Sequence, residues 1–185
     1  MKRQLSQIVD ALDHAERRLD AIAAVTPEDR WNRRNDPERW SVAECAAHLN
    51  ITSEAYVPLI RKALDEARKL PAANGEYKRA FLGWLFGSLV GPMFTIGKFR
   101  LARVKTPPKF VPTGDLPKNL ILAEFKRLQM EISRMVKEGD GLALDRVMIT
   151  SPFGGKIHYD CYSAMVMILR HQERHLDQAE QVWGA

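Results

Sequence analysis

His171 and His175 stand four residues apart in the run Leu169-Arg170-His171-Gln172-Glu173-Arg174-His175-Leu176-Asp177-Gln178. On a helix, side chains at that spacing share one face about a turn apart, where a single metal ion can bridge two imidazoles. His48 lies far upstream, yet it falls on a second inward seam at three-four spacing, with Cys45, Thr52, Ala55 and Leu59. One histidine on an apolar seam reads as a hydrogen-bonded core residue. Three of them facing one core would be several partly unsatisfied polar groups unless they share a ligand. The expectation is a divalent metal site made by His48, His171 and His175. Three neutral imidazoles suit zinc first, then nickel, iron or manganese, and a three-ligand site keeps a position open for water or a small-molecule substrate. An open position points to catalysis rather than to a structural ion.

The residues around the triad narrow the chemistry. A zincin-type peptidase needs Glu directly after its first metal-binding histidine as general base, and Gln172 stands there. Glu173 is turned away from the metal-facing side by helical geometry, and Glu44 is occupied by a helix cap, so no general base is expected at the metal. Gln178, one turn past His175, is a candidate for orienting an imidazole. Cys45 shares the seam of His48 and is a pocket or fourth-ligand candidate, although free cysteine is commonly buried as a small hydrophobe. Trp31, Trp40, Trp84 and Trp183 read as packing residues, with Trp84 the best candidate for a pocket wall.

Four amphipathic stretches must position these side chains. Leu5, Ile8, Leu12, Ala15, Leu19 and Ile22 form one stripe of a helix over about 3–25, with His14 off the stripe. Ser41-Val42-Ala43-Glu44 is a capping box that starts a second helix reaching about Lys69, with Pro58 inside it as an expected kink. Ile121, Phe125, Leu128, Ile132 and Met135 mark a third that stops at Gly139. Ser151-Pro152-Phe153-Gly154-Gly155 reads as a turn, after which Cys161, Ala164, Ile168, His171, His175, Gln178 and Val182 make the seam of a last helix from about His158. No stretch alternates as a strand. The expected fold is all-α, a four-helix bundle in one domain over residues 1–185, with a helical insertion between the second and third bundle helices.

Composition agrees with this class. The 185 residues are 45% hydrophobic and 28% charged, as in ordinary globular chains. Cys45 and Cys161, the two cysteines, both fall in helical stretches, so no disulfide framework is expected; with no secretory signal visible near Met1, a cytoplasmic location is. The net charge of +5 concentrates partly between residues 78 and 109, at Lys78, Arg79, Lys98, Arg100, Arg103, Lys105 and Lys109. No nucleic-acid recognition pattern accompanies them, and a solvated basic rim is the expectation. Ala80 to Gly97 carries no charge, but Pro92 and four glycines interrupt it, so a helical excursion is expected there in preference to a membrane span.

The segment Trp40-Ser41-Val42-Ala43-Glu44-Cys45-Ala46-Ala47-His48-Leu49, paired with the His171 to Gln178 segment, resembles the DinB-like superfamily, in the YfiT-type sense of a metalloenzyme family. That family shows Trp-Ser-x-x-x-x-x-x-His-Leu at the start of its second helix and His-x-x-x-His in its last, often followed by Gln. The resemblance implies a four-helix bundle holding a divalent metal at the positions of His48, His171 and His175, often in a homodimer. Relatives include transferases and isomerases that use low-molecular-weight thiols. A thiol mechanism suits a site without a general base, because a metal lowers a thiol's pKa directly. Lys98, Arg100 and Arg103 are then candidates to pair with carboxylates of a thiol cofactor. The expected function is transfer of a small thiol, or hydrolysis of a small molecule; the alternative is a non-catalytic, metal-containing binding or stress-response protein.

Overall fold

A computed structural model describes residues 1–78, 95–96, 99–100, 106–154 and 157–182. Helix α1, Arg3–Val25, buries Leu5, Ile8, Leu12, Ala15, Leu19 and Ile22 on one side, as their spacing dictates. A single turn, α2 (Glu28–Trp31), follows where the sequence reads as loop, and it carries Trp31 into the core. The Trp31 indole donates to the Leu116 carbonyl at 2.9 Å, so the buried N–H is satisfied.

Helix α3, Val42–Ala67, opens on the expected capping box. Ser41 Oγ accepts from the Glu44 amide at 3.1 Å, and the Glu44 carboxylate accepts from the Ser41 amide at 2.8 Å. The helix runs on through Pro58, which lies on its exposed side. Beyond Thr52 its buried face departs from the expected seam: Tyr56, Ile60, Ala63 and Leu64 are buried, whereas Ala55 and Leu59 are only half-buried. Thr52-Ala55-Leu59 and Thr52-Tyr56-Ile60 both have helical spacing, and the helices packed alongside decide between them.

Helix α4, Lys118–Glu138, buries Phe125, Leu128, Ile132 and Met135, and Gly139 ends it as expected. The last helix, α5 (Cys161–Gln181), starts three residues later than its seam predicts. Asp160 caps it by accepting from the Ser163 amide at 2.7 Å, and His158–Asp160 is instead a strand. Two short antiparallel pairs correct the expectation of no strands: β1 (Thr95–Ile96) with β2 (Phe99–Arg100), and β3 (Met148–Thr150) with β4 (His158–Asp160). In the second pair Met148 faces Asp160, Ile149 faces Tyr159 and Thr150 faces His158. Strands of two or three residues are too short to display an alternating pattern.

Helices α1 and α3 each pack against both α4 and α5. The core has two apolar clusters. One joins Leu5–Leu12 of α1 to Tyr56–Ala67 of α3, Ile132–Val136 of α4 and Cys161–Ile168 of α5. The other joins Ala15–Ala23 of α1 to Val42–Leu49 of α3, Phe125 of α4, and Leu176 and Ala179 of α5. Hence α1 and α5 run one way along the bundle and α3 and α4 the other. Parallel neighbours cannot be joined by a tight turn, so the chain leaving α3 has to return to the opposite end of the bundle before α4 begins. Its two ends are fixed accordingly. Lys2 Nζ donates to the Ala73 carbonyl and Gln4 exchanges hydrogen bonds with Tyr77 at one end of the bundle, while Trp31 holds Leu116 at the other. Within this return, none of the described residues between 71 and 107 is helical; the rest of the expected helical insertion lies outside the described residues, as does Trp84. Among the described residues no helix is long and apolar enough to cross a membrane.

Candidate metal centre

The boundary between the two apolar clusters is polar. His48, Thr52, Ser53, Gln129, Gln172 and His175 are all buried there, and His171 is half-buried. His48 sits two turns past the Ser41 cap, on a part of α3 anchored by that cap and by Arg34, whose guanidinium holds the Glu44 carboxylate at 2.5 Å. His171 and His175 come from the middle of α5, one turn apart. Their imidazoles converge with that of His48: ring centroids are 5.0 Å apart for His48–His171, 4.5 Å for His48–His175 and 4.5 Å for His171–His175.

One ring has its tautomer set by its surroundings. His48 Nδ1 lies 2.7 Å from the Phe110 carbonyl, which can only accept, so Nδ1 carries the proton and Nε2 presents its lone pair. That Nε2 stands 3.2 Å from His171 Nε2. Two ligands ~2.0–2.1 Å from one ion in tetrahedral geometry are about 3.4 Å apart, so this pair has the spacing that an ion requires. One potential ligand atom from each of the three histidines lies within 4.8 Å of the others, and neither cysteine joins this group. Among the described residues His175 Nδ1 is buried with no hydrogen bond of normal geometry; Gln178 acts on this ring but leaves that nitrogen incompletely satisfied in the absence of a ligand. Donor type, spacing and the orphaned nitrogen all fit a divalent ion.

Electrostatics keep the rings neutral, the form that binds metal. Burial pushes His48 down to about 4; the Phe110 carbonyl opposes this and the charge of Arg174 adds to it. His171 is held well below the ordinary histidine value by burial, then by His48 and Arg174. His175 is depressed in the same way, by burial, His171, His48 and Arg174, with Gln178 acting in the opposite direction. Gln178, one turn past His175, is thus close enough to act on that imidazole. The remaining histidines, His14 and His158, are exposed and stand apart from the cluster.

Cys45 is buried among Trp31, Val42 and Leu49 in the second apolar cluster, and burial pushes its thiol up to about 12. It behaves as a small core residue, not as a member of the histidine group. Glu173 is exposed, and no carboxylate hydrogen-bonds the imidazoles among the described residues. Gln172 instead pairs with Gln129.

Three contributors escape the sequence reading. The Phe110 carbonyl has no side-chain signature. Trp40, read as packing, lies 4.8 Å from His48 and stacks at 22° on His175, 5.7 Å away. Phe153, read as part of a turn, lies 5.9 Å from His171 and 4.6 Å from Phe110. The adjacency of Trp40 to the cap that leads to His48 was the available signal for one of them.

A family model described as the DinB superfamily matches residues 11–179. Comparisons with curated proteins and with solved structures give no match.

Proposed function

The chain belongs to the DinB superfamily, and from that premise we propose that it is a metal-dependent enzyme whose three histidines hold a divalent ion, zinc first among the candidates, to activate a small thiol or a water. The nucleophile would be transferred to, or hydrolyse, a small molecule. The observation that carries this reading is the convergence of His48, His171 and His175 with no fourth protein ligand among the described residues. A structural zinc site is usually closed by four protein ligands, whereas three leave a position for chemistry.

When bound, the ion supplies Lewis acidity that lowers the pKa of a thiol or water in that position. The chain's own residues prepare the site. The Phe110 carbonyl fixes the proton of His48 on Nδ1, so Nε2 is free to bind. Burial and Arg174 keep all three imidazoles unprotonated at neutral pH. Among the described residues no carboxylate stands against the imidazoles as a general base, which suits a nucleophile whose acidity the ion itself raises.

The test is metal content per chain on protein purified without a histidine tag, with His48→Ala and His175→Ala alongside. Near-stoichiometric metal in the wild type, lost in both variants, supports the reading and leads to a screen of thiols against small electrophiles. A folded wild type that neither contains nor takes up metal overturns it in favour of a non-catalytic binding protein.

A further inference from the structure

The histidine centre is bordered by two aromatic side chains, one from each half of the molecule, and neither is a core residue. Trp40 is partly buried and packs on the second apolar cluster; Phe153 is partly buried and packs on the first. Trp40 covers His48 and His175, the two deeply buried histidines, while Phe153 lies against His171, which is half-buried. The exposed part of the triad is thus at His171. Phe153 lies beside that ring, and Trp40 lies against the other two.

Both rings are held in place. Trp40 directly precedes the capped start of α3. Phe153 sits at the tip of the β3–β4 hairpin, where its amide donates to Ser151 Oγ at 3.3 Å. The hairpin is tied to α3 by the hydroxyls of Tyr159 and Tyr56, 2.6 Å apart and buried. Phe153 then fits between Tyr56 at 6.0 Å and Phe110 at 4.6 Å. Rings fixed in this way lose little conformational freedom when a ligand packs against them.

We propose that Trp40 and Phe153 are specificity-determining walls of the site, and that the thiol it selects carries its sulfur on a flat, apolar, preferably aromatic body. This rests on the reading of the triad as a metal site open to a thiol. The chemistry matches on both counts. The sulfur would take the open position on the ion held by three imidazoles. The body would pack on the faces and edges of two aromatic rings, a contact that polar aliphatic thiols make poorly.

The experiment uses the full chain loaded with cobalt(II), titrated with benzyl mercaptan or with 2-mercaptoethanol, thiols of similar acidity. Binding is read from the thiolate-to-cobalt absorption, and integrity of the centre from the cobalt ligand-field bands. The wild type should bind benzyl mercaptan about tenfold tighter. Trp40→Ala and Phe153→Ala should each reduce that ratio by about threefold or more with the ligand-field bands retained, the order expected for one aromatic contact. Trp40→Leu and Phe153→Leu keep bulk without a flat face, so they should lower the ratio too, even if an alanine variant folds poorly. Equal affinity for the two thiols in the cobalt-loaded wild type, or a ratio unchanged in the variants, overturns the assignment of the walls and leaves the metal reading standing. A wild type that takes up no cobalt removes both.

Discussion

Gln129 and Gln172 lie in the same polar layer of the core as the three histidines, with Gln172 next to His171 in sequence but aimed at α4. The two groups differ in how their polar atoms are satisfied. Gln172 Nε2 donates to Gln129 Oε1 at 2.7 Å, and Gln129 Nε2 donates both to Gln172 Oε1 at 3.2 Å and to the Leu12 carbonyl at 2.9 Å. That network closes on itself and ties α1, α4 and α5 together. The imidazoles instead turn nitrogens towards one another, and among the described residues His175 Nδ1 makes no hydrogen bond of normal geometry. A buried polar group that completes its hydrogen bonds stabilises the fold, whereas one that leaves them open carries a desolvation cost that a ligand would relieve. Adjacent residues of one helix, Gln172 and His171, therefore meet different surroundings, one a closed hydrogen-bond network and the other a cluster of imidazoles.

Three changes break or sharpen this contrast. The largest effect is expected on metal. His171→Ala should lower metal affinity by more than the ~10–100-fold typical of losing an outer-shell partner, while the metal-free protein keeps most of its stability. A competition titration with a chromophoric chelator measures the first, and urea unfolding of metal-free protein the second. Retained affinity would mean that His171 is not a ligand.

The next effect is on pH dependence. His48 in the fold titrates at about 4, against about 6.5 in the unfolded chain. Its neutral state thus contributes stability that is complete above pH ~6.5 and is lost as pH falls towards 4, because the unfolded chain binds the proton first. The separation is worth about 3 kcal/mol at ~1.4 kcal/mol per unit, and His171 and His175 act in the same direction. Metal-free protein should have a lower denaturation midpoint at pH 5 than at pH 7. A midpoint that rises as pH falls would contradict burial of neutral imidazoles. The glutamine pair has no titrating proton and adds nothing to this slope.

The smallest of the three is Gln172→Leu, which leaves the buried Gln129 Oε1 without its donor while Nε2 keeps the Leu12 carbonyl. A loss of about 1–3 kcal/mol is expected, with metal affinity nearly unchanged. If metal is lost along with stability, the two polar groups are one system and the contrast drawn between them fails.

Much of this arrangement is legible without the fold. The stripe of α1, the capping box of α3, the stop at Gly139 and the four-residue spacing of His171 and His175 are local properties, set by helical geometry and by the partners that a chain terminus needs. His48 joined the triad by the same logic, because a polar residue on an inward seam requires a partner. Four features followed from longer-range packing. The buried face of α3 beyond Thr52 is one of two that helical spacing allows. The β3–β4 hairpin is too short to show a period. Trp40 and Phe153 acquire their place beside the histidines only when two halves of the core meet.

By itself, the sequence determined the four long helices, the capping box of α3 and the three histidines that could share an ion, since these depend on residue type and on spacing within one element. The parallel course of α3 and α4, the anchoring of their connection at opposite ends of the bundle, and the seating of a Phe110 carbonyl on His48 were decided by tertiary structure alone. A backbone carbonyl is common to every residue, and its role depends on which side chain the fold brings to it.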